Sequence, residues 1–106
     1  MIKVNVTKID DLIVKVSITG HANYAEYGSD IVCSAVSAIG VGTVNAINEV
    51  LKIVPKYICK EGHLEVQFET DEKSQLIAQT MLVQLKSIED NYQKYIKIKY
   101  LLQEVL

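Results

Sequence analysis

Apolar and polar residues alternate in two stretches at the start of the chain. Ile2, Val4 and Val6 alternate with polar residues, and the stretch 12–18 repeats the alternation after the polar segment "KIDD". Such alternation is typical of a strand with one buried face, and a short polar segment between two such strands is typical of a hairpin. The sequence therefore predicts a hairpin of two half-buried strands.

The hydrophobic spacing changes to three and four from Ile31 onward. Apolar residues recur at this spacing as far as Val54, and Pro55 follows. This period predicts a long helix that ends near Pro55, with Ser29 or Asp30 as the capping residue at its start.

Small residues fill the first half of this predicted helix, including Gly40 and Gly42. A glycine inside a helix costs roughly 1 kcal/mol relative to alanine, so we expect close packing against the sheet or against a second subunit. The most apolar stretch, 31–47, is interrupted by polar residues and is shorter than the ~20 residues of a membrane span. It is therefore interpreted as a buried helix, and no membrane partner is expected.

The second half of the chain repeats this order of elements. The segment "KYICKEGHLEVQF" predicts a second hairpin with its turn at Glu61 and Gly62. An amphipathic helix is predicted to begin around Asp71, and the alternation in "YIKIKYL" predicts a last strand. The predicted fold class is α+β: a two-layer sandwich with a mixed or antiparallel sheet, two helices on one face and the order β-β-α-β-β-α-β. We expect a single domain over residues 1–106.

Charge and cysteine content narrow the possible partners and compartment. The chain has 13 acidic and 11 basic residues, a formal net charge of −2, and a pI near 5.6. Since nucleic-acid binding relies on a positive field, this balance argues against a nucleic-acid partner. The N-terminus alternates instead of showing a secretory signal, so we expect a cytoplasmic protein in which Cys33 and Cys59 are free thiols.

The segment "GHANYAEYGSDIVC" contains the candidate catalytic residues. Cys33 is predicted in the first helical turn, where the helix dipole and the unpaired N–H groups favour a thiolate and an oxyanion. His21, at the end of the second strand, is the candidate general base of a Cys–His dyad. Asp30 either caps the helix or orients His21. The intervening loop, with Gly28 as a hinge, is a candidate lid.

Two other interpretations stay open from the residues alone. Cys33 would be a small buried apolar residue and His21 a surface or capping residue. Alternatively, His21, Cys33, Cys59 and His63 form a zinc-binding set, although their spacing is unlike paired zinc knuckles. We expect no metal and no cofactor, with Cys59 facing inward on a strand and His63 exposed at a turn.

The segment "GHANYAEYGSDIVCSAVS" resembles the signature of the ribosomal-processing cysteine protease family (Prp). That signature is Gly-His-Ala, a short variable segment with a glycine, and then Asp-Ile-Val-Cys followed by a helix of small residues that ends in Ser. The segments "VNAI" and "QLIAQTMLVQL" are similar to the family as well, so the resemblance covers nearly the whole chain.

The resemblance implies a homodimeric endopeptidase that removes the N-terminal extension of large-subunit ribosomal protein L twenty-seven, cutting after an aromatic residue in a short hydrophobic motif. It implies that His21 is the general base, Cys33 the nucleophile and Asp30 a supporting residue. Further motif positions, implied to shape the loop and the substrate groove, are Gly20, Ala22, Gly28 and Ser37. The alternative function is a non-catalytic, ribosome-associated module that holds a peptide in the same loop.

Overall fold

The computed structural model describes residues 1–20 and 27–103, with the main chain alone for residues 27–30. Its elements follow the predicted order of two hairpins, two helices and a last strand. They are β1 (Ile2–Ile9), β2 (Leu12–Thr19), α1 (Tyr27–Leu51), β3 (Lys56–Lys60), β4 (His63–Gln67), α2 (Glu72–Asn91) and β5 (Ile96–Gln103).

The five strands form one sheet in the order β3-β4-β2-β1-β5. All neighbouring strands are antiparallel except β1 and β5, which are parallel. The first strand therefore lies inside the sheet beside the last, and the Ile2 N–H donates to the Tyr95 carbonyl at 2.8 Å. The predicted α+β class with a mixed sheet is confirmed.

Both hairpins turn where the sequence predicts. Asp10 and Asp11 have φ values of 50° and 63°, and Gly62 has a φ of 72°. Positive φ at the centre of a two-residue turn gives the backbone twist that suits a β-hairpin, and Asp and Gly tolerate it better than most residues.

The helices pack on the same side of the sheet, which we call the covered face. One buried cluster joins both helices to this face, with Val4, Val16 and Ile96 from strands and Val32 and Leu85 from helices, each fully buried. The strand residues that alternate with the buried ones lie on the opposite side, which we call the open face. This is the two-layer arrangement predicted from the sequence.

The amide of Gln75 fastens α2 to β2. Its side-chain oxygen accepts from the Ile13 N–H at 2.8 Å, and its side-chain nitrogen donates to the carbonyls of Ile13 at 2.7 Å and Glu69 at 2.9 Å. Asp71 caps α2 by accepting from the Ser74 N–H at 3.2 Å, which confirms the predicted start of this helix. Donation from Ser74, by its side chain and its backbone, lowers the pKa of Asp71.

The first helix begins earlier than predicted. It starts at Tyr27, so Gly28, Ser29 and Asp30 belong to its first turn and the prediction that Ser29 or Asp30 is the N-cap is wrong. Asp, Ser and Gly are typical of helix starts, which is why the sequence placed the boundary too late.

Gly40 and Gly42 differ in their surroundings. A Cβ atom at Gly40 would collide with the Leu64 side chain and touch that of Ile18, whereas one at Gly42 would meet nothing within 4 Å. The predicted close packing on the sheet therefore holds at Gly40.

By length and composition, the segment Ile31–Leu51 of α1 passes the test for a membrane-spanning helix, with 21 residues and a mean hydropathy of 1.6. This segment is longer than the apolar stretch 31–47 identified in the sequence. A helix in the core of a protein passes the same test, and α1 packs against α2 and β4.

Candidate active site

A cavity of about 210 Å³ lies between α1, the end of the β1–β2 hairpin and the β3–β4 hairpin. Its described lining is mostly apolar and contains both cysteines. The residues are Ile2, Ile18, Gly20, Cys33, Val36, Ser37, Val41, Cys59, Lys60, Gly62, His63 and Leu64.

Cys33 is half-buried on the α1 wall of this cavity. It is the seventh residue of α1, because the helix begins at Tyr27. The prediction that it lies in the first turn is therefore wrong: six residues of helix correspond to about 9 Å along the axis, and the effect of the helix dipole falls off within one turn. A thiolate at this position needs another source of stabilisation.

Gly20 holds the end of β2 against the second hairpin. Its N–H donates to the Gly62 carbonyl at 3.1 Å, and its φ is +97°. A Cβ atom at this position would collide with the Met1 carbonyl oxygen, so the site requires glycine. Gly20 lines the cavity, while His21 and Ala22, which follow it in the chain, lie outside the described residues.

The remaining predicted site residues fall on α1. Ser37 is exposed and lines the cavity one helical turn after Cys33. Gly28 lies in the first turn of α1, so the prediction that it is the hinge of a loop is wrong. The part of the candidate lid at residues 21–26 lies outside the described residues. The main chain of Asp30 also lies in that turn, and its side chain is outside the described part of the structure.

The β3–β4 hairpin forms a wall of the cavity that sequence reasoning missed. Cys59 and Leu64 are paired across the two strands, and Leu64 contacts α1 at Gly40, so both side chains are on the covered face. Cys59 is nevertheless exposed, because β3 is the edge strand. The prediction of a simple inward residue is thus corrected: alternation indicated its face, and only the strand order reveals its exposure.

His63 also differs from its predicted position. It is half-buried as the first residue of β4, where it pairs with Lys60, and its Nε2 atom lies 3.9 Å from Oε1 of Glu65. His63 and Cys59 are on opposite faces of the sheet by register. Among residues 1–20 and 27–103, no group of three or more His, Cys, Asp or Glu side chains is placed to hold a metal ion.

The comparisons with known proteins agree with this geometry. The family model described as cysteine protease Prp matches residues 1–97. The Ribosomal processing cysteine protease Prp of Staphylococcus aureus is 39% identical in an alignment of 105 residues that covers 94% of this chain and 99% of the relative.

Two crystal structures of the S. aureus protease are also similar. The structure with a substrate peptide has a TM-score of 0.83 and 36% identity, and the structure with a covalently linked product peptide has a TM-score of 0.80 and 38% identity. Each superposition covers 95% of this chain and 100% of the S. aureus chain.

A sandwich of this topology with a thiol on the wall of an open groove, together with these relatives, defines the protein as a cysteine protease. More particularly, the chain belongs to the cysteine protease Prp family.

Proposed function

We propose that this protease removes the N-terminal extension of large-subunit ribosomal protein L twenty-seven in the cytoplasm, cutting after an aromatic residue in a short hydrophobic motif. The observation that carries the proposal is the half-buried Cys33 thiol on the wall of an apolar groove. Ile18, Val36, Val41 and Leu64 supply apolar surface there, which suits hydrophobic substrate side chains. The S. aureus relatives are described with a substrate peptide and a covalently linked product peptide.

In the proposed mechanism His21 takes the proton from the Cys33 thiol, and the thiolate attacks the carbonyl carbon of the scissile peptide bond. The C–N bond then breaks as the imidazolium gives its proton to the leaving amine. Water, deprotonated by His21, hydrolyses the thioester and restores the thiol. A thiolate–imidazolium pair supplies the stabilisation that the helix start does not give at this distance.

Two features support His21 as the base. Gly20, directly before it in the chain, lines the same cavity as Cys33. The chain has two histidines, and the other, His63, also lines the cavity but lies by register on the open face, whereas Cys33 is on the covered side. Because Asp30 does not cap α1, its proposed role is to orient His21, and Asp30→Asn should shift the pH profile of kcat more than it changes KM.

A homodimer is part of the proposal. A groove between α1 and α2 is lined by small and apolar residues, among them Ala38, Gly42 and Ala46. A second copy packing there would bury this surface. Sedimentation equilibrium of the wild type and of the Ala38→Lys variant tests the proposed dimer. Loss of the dimer in the variant supports this interface, and a monomeric wild type contradicts the proposal.

The proposed cleavage is tested with a peptide that spans the extension and the start of the mature ribosomal protein, analysed by mass spectrometry. We expect one cut after an aromatic residue. Cys33→Ala and Cys33→Ser should each lose at least about a thousandfold in kcat/KM, since a nucleophile is removed. Cys59→Ala, which removes the other thiol in the same groove, is the matched control and should stay near the wild-type rate.

Full cleavage by both Cys33 variants would contradict the assignment of the nucleophile. An intact peptide that nevertheless binds the wild-type protein would contradict the proposed substrate and favour the peptide-holding alternative for this sequence.

A further inference from the structure

Lysines are arranged in rows across the open face of the sheet. In an antiparallel or parallel pair, residues in register point to the same side, so the strand registers define each row. The first row crosses all five strands as Lys60, His63, Thr19, Lys3 and Lys97.

Two further rows follow at two-residue intervals along the strands. The second row is Ile58, Glu65, Ser17, Asn5 and Lys99, and the third is Lys56, Gln67, Lys15, Thr7 and Leu101. Every row therefore carries at least one lysine, and six of the eleven basic residues of the chain lie on this one face.

Most of this positive charge is accessible and weakly neutralised. Lys3, Lys60 and Lys99 are exposed and form no ion pair with a described residue. Lys97 is exposed as well, and its charge contributes to lowering the pKa of Glu89 on α2.

The other two lysines of the face have distant carboxylate partners. Lys15 lies 4.0 Å from Glu65, and Lys56 lies 4.0 Å from Glu69. Pairs of this length on a surface contribute little and are screened by salt. Glu65 is the single acidic residue among the three rows.

The distribution of charge changes the expectation drawn from net charge. The whole chain is acidic at −2, and that balance argued against a nucleic-acid partner. The acidic residues, however, lie almost entirely off the open face, so this face presents a local positive field that the net charge conceals.

We propose that the open face binds the phosphate backbone of folded, double-helical RNA. Five strands about 4.8 Å apart make the rows about 19 Å wide, and two-residue steps place the three rows across about 13 Å. A surface of this size with lysines in every row is suited to several phosphates at once. Hydroxyls of Thr19 and Ser17 lie between the lysines, where a 2′-hydroxyl or a phosphate oxygen could bond with them.

The residue types also indicate which polyanion fits. The rows contain no Phe, Tyr or Trp, and their one imidazole, His63, is half-buried beside Glu65. They therefore offer little surface on which single-stranded bases stack, and the backbone of a duplex is the better match. The choice of RNA over DNA rests on the proposed function, because a protease that processes a ribosomal protein would act where ribosomal RNA is present.

Protein and membrane partners fit this face less well. The cores of protein interfaces are enriched in Trp, Tyr, Met and Arg and depleted in lysine. Peripheral membrane surfaces insert clustered large apolar residues. The two large apolar residues of the rows, Ile58 and Leu101, are at opposite edges of the sheet, on β3 and β5.

The first row reaches the rim of the catalytic cavity. Lys60 and His63 belong to that row and also line the cavity, whereas Cys33 approaches it from the covered side. An RNA on the open face would therefore be next to the peptide groove without occupying it.

The test measures binding of a fluorescently labelled mixed-sequence RNA duplex of about 20 base pairs over a series of salt concentrations. The variant Lys3→Gln/Lys97→Gln/Lys99→Gln removes three charges from the open face. The matched control Lys52→Gln/Lys73→Gln/Lys94→Gln removes three exposed lysines that lie outside the sheet, so net charge changes equally.

We expect the open-face variant to bind at least about tenfold more weakly, with a log–log salt slope reduced by about 2 to 3, since each phosphate contact contributes about 0.9. The control should change less than about twofold, and both variants should cleave the precursor peptide at the wild-type rate, so that failure of the proposed cleavage is seen separately.

Several results would overturn the proposal: equal losses in both variants, no binding of the wild type near physiological salt, or preference for a DNA duplex. Tighter binding to vesicles containing phosphatidylserine than to RNA would also overturn it and assign the face to a membrane.

Discussion

The covered and open faces of the sheet are built from the same strands but serve different purposes. On β5, Ile96 is fully buried against the core, while the next residue, Lys97, is exposed on the other side. Burial of apolar surface makes the covered face the source of stability and of the cavity wall. The open face contributes little to folding and is free to carry charge. Substitutions should therefore change stability strongly on the covered face and weakly on the open face.

The largest expected effect comes from Ile96→Ala. Removing buried methyl groups from the covered face should lower the free energy of unfolding by about 2–5 kcal/mol. Lys99→Ala, on the open face of the same strand, should change it by less than about 0.5 kcal/mol. Urea denaturation of both variants measures the difference, and equal losses would contradict the division between the faces.

Gln75→Leu tests a polar contact within the covered layer. It leaves the N–H and carbonyl of Ile13 without the partners they have in the native structure. The expected loss is about 2–3 kcal/mol, because an unsatisfied buried group costs about 1–3 kcal/mol. Gln79→Leu, at an exposed position of the same helix, is the control in the same denaturation measurement. A Gln75 variant as stable as the control would show that these bonds contribute nothing.

Gly40 and Gly42 allow the same comparison within one helix, α1. Gly40→Ala should destabilise by about 1–3 kcal/mol, because its methyl group meets Leu64 and Ile18 in a packed layer. Gly42→Ala should stabilise a monomer by about 0.5–1 kcal/mol through helix propensity, since nothing lies within 4 Å of the new atom. Thermal unfolding at low protein concentration measures both, and the same sign for both variants would refute the packing difference.

The smallest predicted effect is a pH dependence at Glu89, where α2 meets the edge strand β5. Burial raises its pKa, but donation from the Ile98 N–H at 2.6 Å and from Lys86 outweighs burial, and the net pKa is lowered. A lowered folded pKa means that the contact stabilises fully above the unfolded value near pH 4.3 and is lost as pH falls through the folded value.

Glu89→Gln should therefore reduce the loss of stability between pH 7 and pH 3 by up to about 1 kcal/mol. Asp90→Asn is the control, because Asp90 also contacts Lys86 but is 59% exposed. The urea denaturation midpoints of both variants at several pH values test this prediction. A Glu89 variant whose stability depends on pH as the wild type's does would contradict the stabilising role of the Glu89 carboxylate.

The sequence predicts those features that depend on local order. Alternation in β1 and β2, the turn at Glu61 and Gly62, and the start of α2 around Asp71 are each encoded within a few residues, and the structure confirms them. The parallel pairing of β1 with β5 depends on packing between distant segments, so local patterns do not reveal it.

The candidate site shows the same limit. The motif identifies Cys33, but the start of α1 was misplaced because Ser29 and Asp30 have the chemistry of caps. Cys59 and the lysine rows become visible only when the strand order brings residues from different strands into register. The roles of His21, Ala22 and the Asp30 side chain, like the single domain over residues 1–106, stay predictions.

The parallel pairing of the first and last strands also bears on when the enzyme becomes active during its synthesis. Ile2, which lines the cavity beside Cys33, pairs with Ile96, and within residues 1–20 and 27–95 no other strand occupies that side of β1. A growing polypeptide that has released only residues 1–95 from the ribosome lacks this neighbour. We therefore expect the nascent chain to remain without proteolytic activity until β5 has emerged from the ribosome.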